Sequence, residues 1–93
     1  MIVRIDIDGS DAAGYDYRVV DQAEDLYGDS GLESVADAIV AAIEGLPPRV
    51  VAAEIALRGI VSGTYPLETI AANHEPIAAH AMNTTLAIEE ALG

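Results

Sequence analysis

The sequence predicts an α+β domain in two layers, with helices packed on one face of a small antiparallel sheet. Three patterns predict it. Residues 2–8 and 15–20 alternate apolar and polar side chains, the period of a half-buried strand. Residues 31–45 repeat apolar side chains at helical spacing. The stretch after Pro47-Pro48 alternates again, and the chain then turns helical towards its end. Together they give an N-terminal hairpin, a helix, a third strand and C-terminal helix in one domain spanning residues 1–93. A mainly α domain carrying an N-terminal hairpin is the competing architecture.

In the first run Val3, Ile5 and Ile7 share one face, and Arg4, Asp6 and Asp8 share the other. Gly9 to Gly14 reads as the turn, and Tyr15, Tyr17 and Val19 continue on one face of the second strand. Residues 21–29 are acidic and weakly patterned; a helical turn capped by Asp21 and stopped at Gly28 suits them. The helix over 31–45 is the clearest element. Ser30 and Glu33 have the spacing of a capping box. Leu32, Val35, Ala36, Ile39, Val40, Ile43 and Leu46 form its apolar stripe, and Gly45 with the two prolines ends it.

Residues 49–58 alternate through Val51, Ala53, Ile55 and Leu57, which predicts a strand extended by a bulge at Gly59. A helix opened by Pro48 is the rival reading, because Val50, Ala53, Leu57, Ile60 and Val61 also share a helical face. Residues 67–73 read as a short helix ending at Asn73. A last helix starts near Glu75-Pro76, unless the Thr84-Thr85 pair marks a strand.

The composition narrows what such a domain can be. Sixteen acids stand against four arginines and no lysine, a net charge of −12 on 93 residues. So small a body at that charge repels itself in dilute buffer. At about 1 M salt the Debye length shrinks to about 3 Å, and the repulsion largely disappears. Acid excess with complete lysine depletion resembles the cytoplasmic proteins of salt-accumulating halophiles. A merely acidic protein, a nucleic-acid mimic for instance, needs acids but has no reason to avoid lysine. The apolar half of the chain is rich in alanine and has no Phe or Trp, so each core residue buries little area. With no cysteine, neither disulfides nor thiolate metal sites can compensate. Contacts with other subunits are the remaining source of help.

Motifs for chemistry are sparse. Asp6, Asp8, Asp11 and Asp16 cluster around the first loop, and oxygen-rich loops suit hard cations. Their spacing is not that of an EF-hand, so a solvated acidic turn is the simpler account. His74 and His80 are six residues apart, too far to share a helical face as a ligand pair. Ser10, Ser30, Ser34 and Ser62 sit in no nucleophile elbow. No phosphate loop surrounds Gly59 and Gly63, and Arg58 is expected to pair with Glu54 or to cap a surface. Tyr15 and Tyr17 lack the basic groove that base stacking needs, which argues against direct nucleic-acid binding. No apolar run is long enough for a membrane helix. The sequence therefore implies no cofactor, no metal and no catalytic residue. An enzyme would have to draw on an acid with His74 or His80, or on a cation near Asp6 and Asp8.

The acids are unevenly spread. Eleven lie within residues 6–44, whereas residues 55–88 hold only Glu68 and Glu75. If acids mark what water sees, the poor segment must be covered by protein. The interface expected on this ground comprises Ile55, Leu57, Ile60, Val61, Tyr65, Leu67, Ile70 and Ile77. The function expected is a non-enzymatic assembly subunit, homo- or hetero-oligomeric and adapted to high salt. It would work in the cytoplasm of a salt-accumulating cell or as a virion component such as a capsid accessory, connector or tail protein. The alternative is an acidic regulatory module that binds another protein. Dialysis from molar to millimolar salt is expected to loosen or unfold the chain, seen as loss of its far-ultraviolet circular dichroism.

Overall fold

A computed structural model describes all of residues 1–93. The elements run β1 (Ile2–Ser10), β2 (Gly14–Asp21), β3 (Glu24–Leu32), α1 (Val35–Glu44), β4 (Ala52–Leu57), β5 (Ile60–Pro66), α2 (Leu67–Ala72) and α3 (His74–Leu92). The fold is α+β, and its five strands form one sheet in the order β3-β2-β1-β4-β5. The sheet is mixed rather than antiparallel. β1 pairs antiparallel with β2 (Ile5 opposite Val19) but parallel with β4 (Ile5 beside Ile55). The parallel pair follows from connectivity: α1 carries the chain back across the sheet, so β4 enters running the same way as β1.

Alternation decides which face is covered. Val3, Ile5 and Ile7 of β1, Tyr15, Tyr17 and Val19 of β2, and Ala53, Ile55 and Leu57 of β4 are all buried. Against them pack Val35, Ala36, Ala38, Ile39 and Ala42 of α1, and Ile77, Ala78 and Ala81 of α3. α1 lies towards β2, and α3 lies over β4 and β5 beside α1. The alanines at these contacts let helices and sheet approach closely, which is how a core without Phe or Trp closes. No helix packs on the opposite face.

Four expectations are corrected. The segment 21–29 is not a helical turn but most of β3. Its pattern is weak because it is an edge strand, largely exposed, with irregular register against β2 on both sides of the pairs Tyr17–Asp29 to Val19–Tyr27. The turn before it places Gln22 at φ 56, a conformation usually given to Gly, so no glycine announces the hairpin. Second, the helix is capped by Ser34, not Ser30. The Ser34 side chain accepts from the Asp37 N–H at 3.0 Å, while Ser30 to Leu32 remain in β3.

Third, residues 49–65 hold the strand predicted first, as β4, and not the rival helix, but that strand is not extended through a bulge at Gly59. They contain the β4–β5 hairpin, turned by Arg58 (φ 50) and Gly59 (φ 81), with Leu57 opposite Ile60. Two successive left-handed residues give the twist that a two-residue hairpin needs. The bulge lies further on, where Ile55 faces Gly63 but Ala56 faces Val61, so the extra residue is Ser62. Fourth, the tail contains no strand. Thr84 and Thr85 sit inside α3, where Thr85 is fully buried and its hydroxyl donates to the Leu57 carbonyl at 3.3 Å. Pro76 is the third residue of α3, still within the first turn, where a missing N–H breaks no helical bond. The short helix ending at Asn73 is as the sequence predicts.

The cap assignment has a direct consequence. Ser34→Ala is expected to lower stability by about 1 kcal/mol in urea unfolding, and Ser30→Ala to leave the midpoint unchanged.

Candidate functional site

The residues expected to form an interface divide sharply. Ile55, Leu57, Ile70 and Ile77 lie in the domain's own core, at most 5% exposed. They are consumed by folding and offer no surface. Ile60, Tyr65 and Leu67 are half-buried, and Tyr65 and Leu67 pack on the same core. Only Val61, 45% exposed, stands out from the surface. What the count of acids along the chain missed is that eight residues of 55–88 are buried within the domain itself. The acid-poor exposed remainder includes Thr64, Thr69, Ala72, Ala79, Asn83 and Ala87.

The largest uncovered feature is the second face of the sheet. Register places its side chains in rows: Ile2, Ala52 and Pro66; then Arg4, Glu54 and Thr64; then Asp6, Ala56 and Val61. Opposite Arg4 and Asp6 on the other side stand Val20 and Arg18. The face divides into two halves. Over β1, β2 and β3 runs an ion network centred on Asp6, only 8% exposed. Its carboxylate accepts from Arg4 Nε at 2.8 Å and lies 4.0 Å from Arg18. Arg18 reaches Asp25 at 3.6 Å, and Arg4 reaches Glu54 at 3.9 Å. Exposed pairs like these are worth at most about 1 kcal/mol each, but the buried carboxylate needs its arginines. Over β4 and β5 the face is flat and nearly neutral, with Glu54 its one acid. A shallow groove of about 300 Å³, bordered by Ile2, Arg4, Val20, Gln22 and Glu54, marks the seam.

A second cleft, about 270 Å³, opens where β1 and β4 end, between Ser10, Asp11, Tyr15, Arg58, Met82 and Leu86. Arg58 does not pair with Glu54. Its Nε and Nη2 donate to both Glu89 oxygens at 2.9 and 2.8 Å, and its Nη1 donates to the Gly9 carbonyl at 3.0 Å. The hydrogen bond from Arg58 holds the Glu89 carboxyl below its ordinary range. The Tyr15 hydroxyl donates to Asp11 at 2.8 Å. These bonds tie the last turns of α3 and the first loop to the sheet, and leave the cleft's charged groups already partnered.

The other candidates do not converge. Asp6 is held by arginines and Asp11 by Tyr15, and no group of three or more Asp, Glu or His side chains is placed to hold a metal ion. His74 and His80 both lie on α3, His80 exposed and His74 near the Ala71 carbonyl. Ser10 accepts from the Ala13 N–H, Ser34 caps α1, and Ser62 donates to the Ile55 carbonyl. No helix is long and apolar enough to cross a membrane.

Fold and surface together define a two-layer α+β domain with a five-stranded mixed sheet, bare on one face and divided there into a charged and a neutral half. No family model matches the chain, and neither curated proteins nor solved structures yield a match.

The tyrosines supply a pH test of the packing. Burial raises the ionisation of Tyr15, Tyr17 and Tyr27 above the ordinary value of 10.0, with the bond to Asp11 adding to it at Tyr15. Tyr17 and Tyr27 meet edge to face at 6.3 Å, and Tyr27 donates to the Ala42 carbonyl, pinning β3 to α1. A raised folded value means the contribution is complete below about pH 10 and is lost as pH rises through the raised values. The urea midpoint is expected to fall above about pH 10. In parallel, tyrosinate absorbance should appear at higher pH in the folded protein than in the urea-unfolded chain.

Proposed function

We propose that this protein is a non-enzymatic subunit of a larger protein assembly that works in concentrated salt. One observation carries the reading: the segregation of charge on the folded surface. Eleven of the sixteen acids belong to residues 6–44, on and around β1, β2, β3 and α1. The exposed parts of β5, α2 and the first half of α3 carry two, Glu68 and Glu75. Interface centres are depleted in charged residues relative to the remaining surface, and this half of the molecule has that composition. The exposed apolar side chain Val61 falls in the same half.

The absence of lysine supports the salt-adapted setting, since a protein surrounded by molar cations keeps a carboxylate surface hydrated without repelling itself. The small alanine-rich core supports dependence on neighbours. A repeated component of a virion, or of another closed or filamentous body in a salt-accumulating cell, is the form of assembly this reading favours.

Size-exclusion chromatography with light scattering in molar potassium chloride tests it. The expected result is a mass at least twice that of the 9.7 kDa chain. A monomer at every concentration up to the millimolar range would sink the reading.

A further inference from the structure

We infer that residues 86–93, the end of α3, form a detachable strap that the Arg58–Glu89 pair latches beside the cleft of Tyr15, Arg58 and Met82. α3 consists of two unlike pieces. Up to Thr85 it is anchored by burial, through Ile77, Ala78, Ala81 and Thr85 itself. From Leu86 onward every residue is exposed. Leu86 is 50%, Ile88 39% and Leu92 83% exposed, so apolar packing does little to hold this piece. Its side chains make one polar attachment to the rest of the domain, the two bonds from Arg58 to the Glu89 carboxylate.

The strap needs that attachment to stay helical. A helix of about two turns is marginal in water by itself. This one also carries the wrong charge, because Glu89 and Glu90 lie at its C-terminal end with no base in the last turn. The negative end of the helix dipole disfavours carboxylates there. Arg58 supplies the missing cation from outside the helix. It does so from a left-handed backbone conformation, φ 50, which glycine would adopt without strain. What the arginine adds there, and glycine would lack, is the guanidinium. Its forked contact at 2.8 and 2.9 Å acts within the screening length of about 3 Å at 1 M salt, so the latch holds in brine.

The surroundings make Glu89 the release point. Asp11 of the first loop and Tyr15 of β2 border the cleft beside Arg58, and Glu90 follows on α3. None of them is a base, so Arg58 is the one cation that holds Glu89. Docking is complete above the ordinary carboxyl value of 4.5 and is lost as the pH falls through the lowered Glu89 value. Leu86 is one wall of the 270 Å³ cleft, so lifting the strap opens the cleft on the side of Met82.

Amide hydrogen exchange read by NMR, in molar potassium chloride at neutral pH, tests the latch. Glu89→Gln is expected to lower the protection of amides 87–91 about fivefold or more, with amides 77–85 unchanged. Glu90→Gln, which removes an acid that Arg58 does not bind, is expected to keep that protection. Arg58→Gly suits the turn and removes the guanidinium, so the same loss is expected with the hairpin intact; it decides if Glu89→Gln fails to fold. On acidification the wild-type amides 87–91 lose protection below pH 4.5, and Glu89→Gln shows no such step. Unchanged protection in either folded latch variant overturns the inference. So does a loss that spreads through 77–85, or a wild type already unprotected at 87–91.

Discussion

The parallel pairing of β1 with β4 is the constraint on which the rest of the structure depends. Strands that run the same way cannot be joined by a tight turn, so α1 must cross between them. That crossing commits α1 to one face of the sheet, and the β4–β5 hairpin then delivers α2 and α3 to the same face. β1 becomes the central strand, hydrogen-bonded on both sides, with Val3, Ile5 and Ile7 buried beneath the helices. The opposite face is bare for the same reason.

Arg58 shows how few polar contacts hold this arrangement at its far end. It forms half of the turn between β4 and β5, in a backbone conformation that non-glycine residues seldom adopt. From there its guanidinium clamps Glu89 on α3 and the Gly9 carbonyl at the end of β1. Thr85, one turn earlier on α3, donates to the Leu57 carbonyl just before that turn. Two side chains thus register the longest helix against the two central strands. With only four cations in the chain, placing one here and two around Asp6 leaves Arg49 alone near the N-terminus, beside Met1.

Much of the fold was legible in the sequence because its central elements obey simple periods. β1, β2 and β4 are covered on one face and alternate cleanly; α1 buries a single stripe. The failures have physical causes. β3 is exposed on an edge and bulged, so neither period survives in it. The β2–β3 turn is made by Gln22 rather than glycine, and the β4–β5 turn begins with an arginine. The cap fell to Ser34 because Ser30 lies within β3, in the irregular stretch between Asp29 and Leu32. The surface was less legible than the fold. Acid spacing along the chain could not separate Ile55, Leu57, Ile70 and Ile77, which fill the interior, from Val61, which does not. Where Val61 points depends on the register of β5 against β4, which one residue of bulge at Ser62 shifts.

The bulged edges act the same way at any salt concentration. Proteins in dilute solution often keep sheet edges apart with like charges, and β3 carries Glu24, Asp25 and Asp29 in that manner. Where mobile ions cut the reach of a charge to a few ångströms, such a guard works only at contact. An irregular backbone outline needs no field: a neighbouring strand finds its hydrogen-bonding groups out of step at any salt concentration. Geometry therefore guards these sheet edges against pairing at salt concentrations where a guard of like charges would fail.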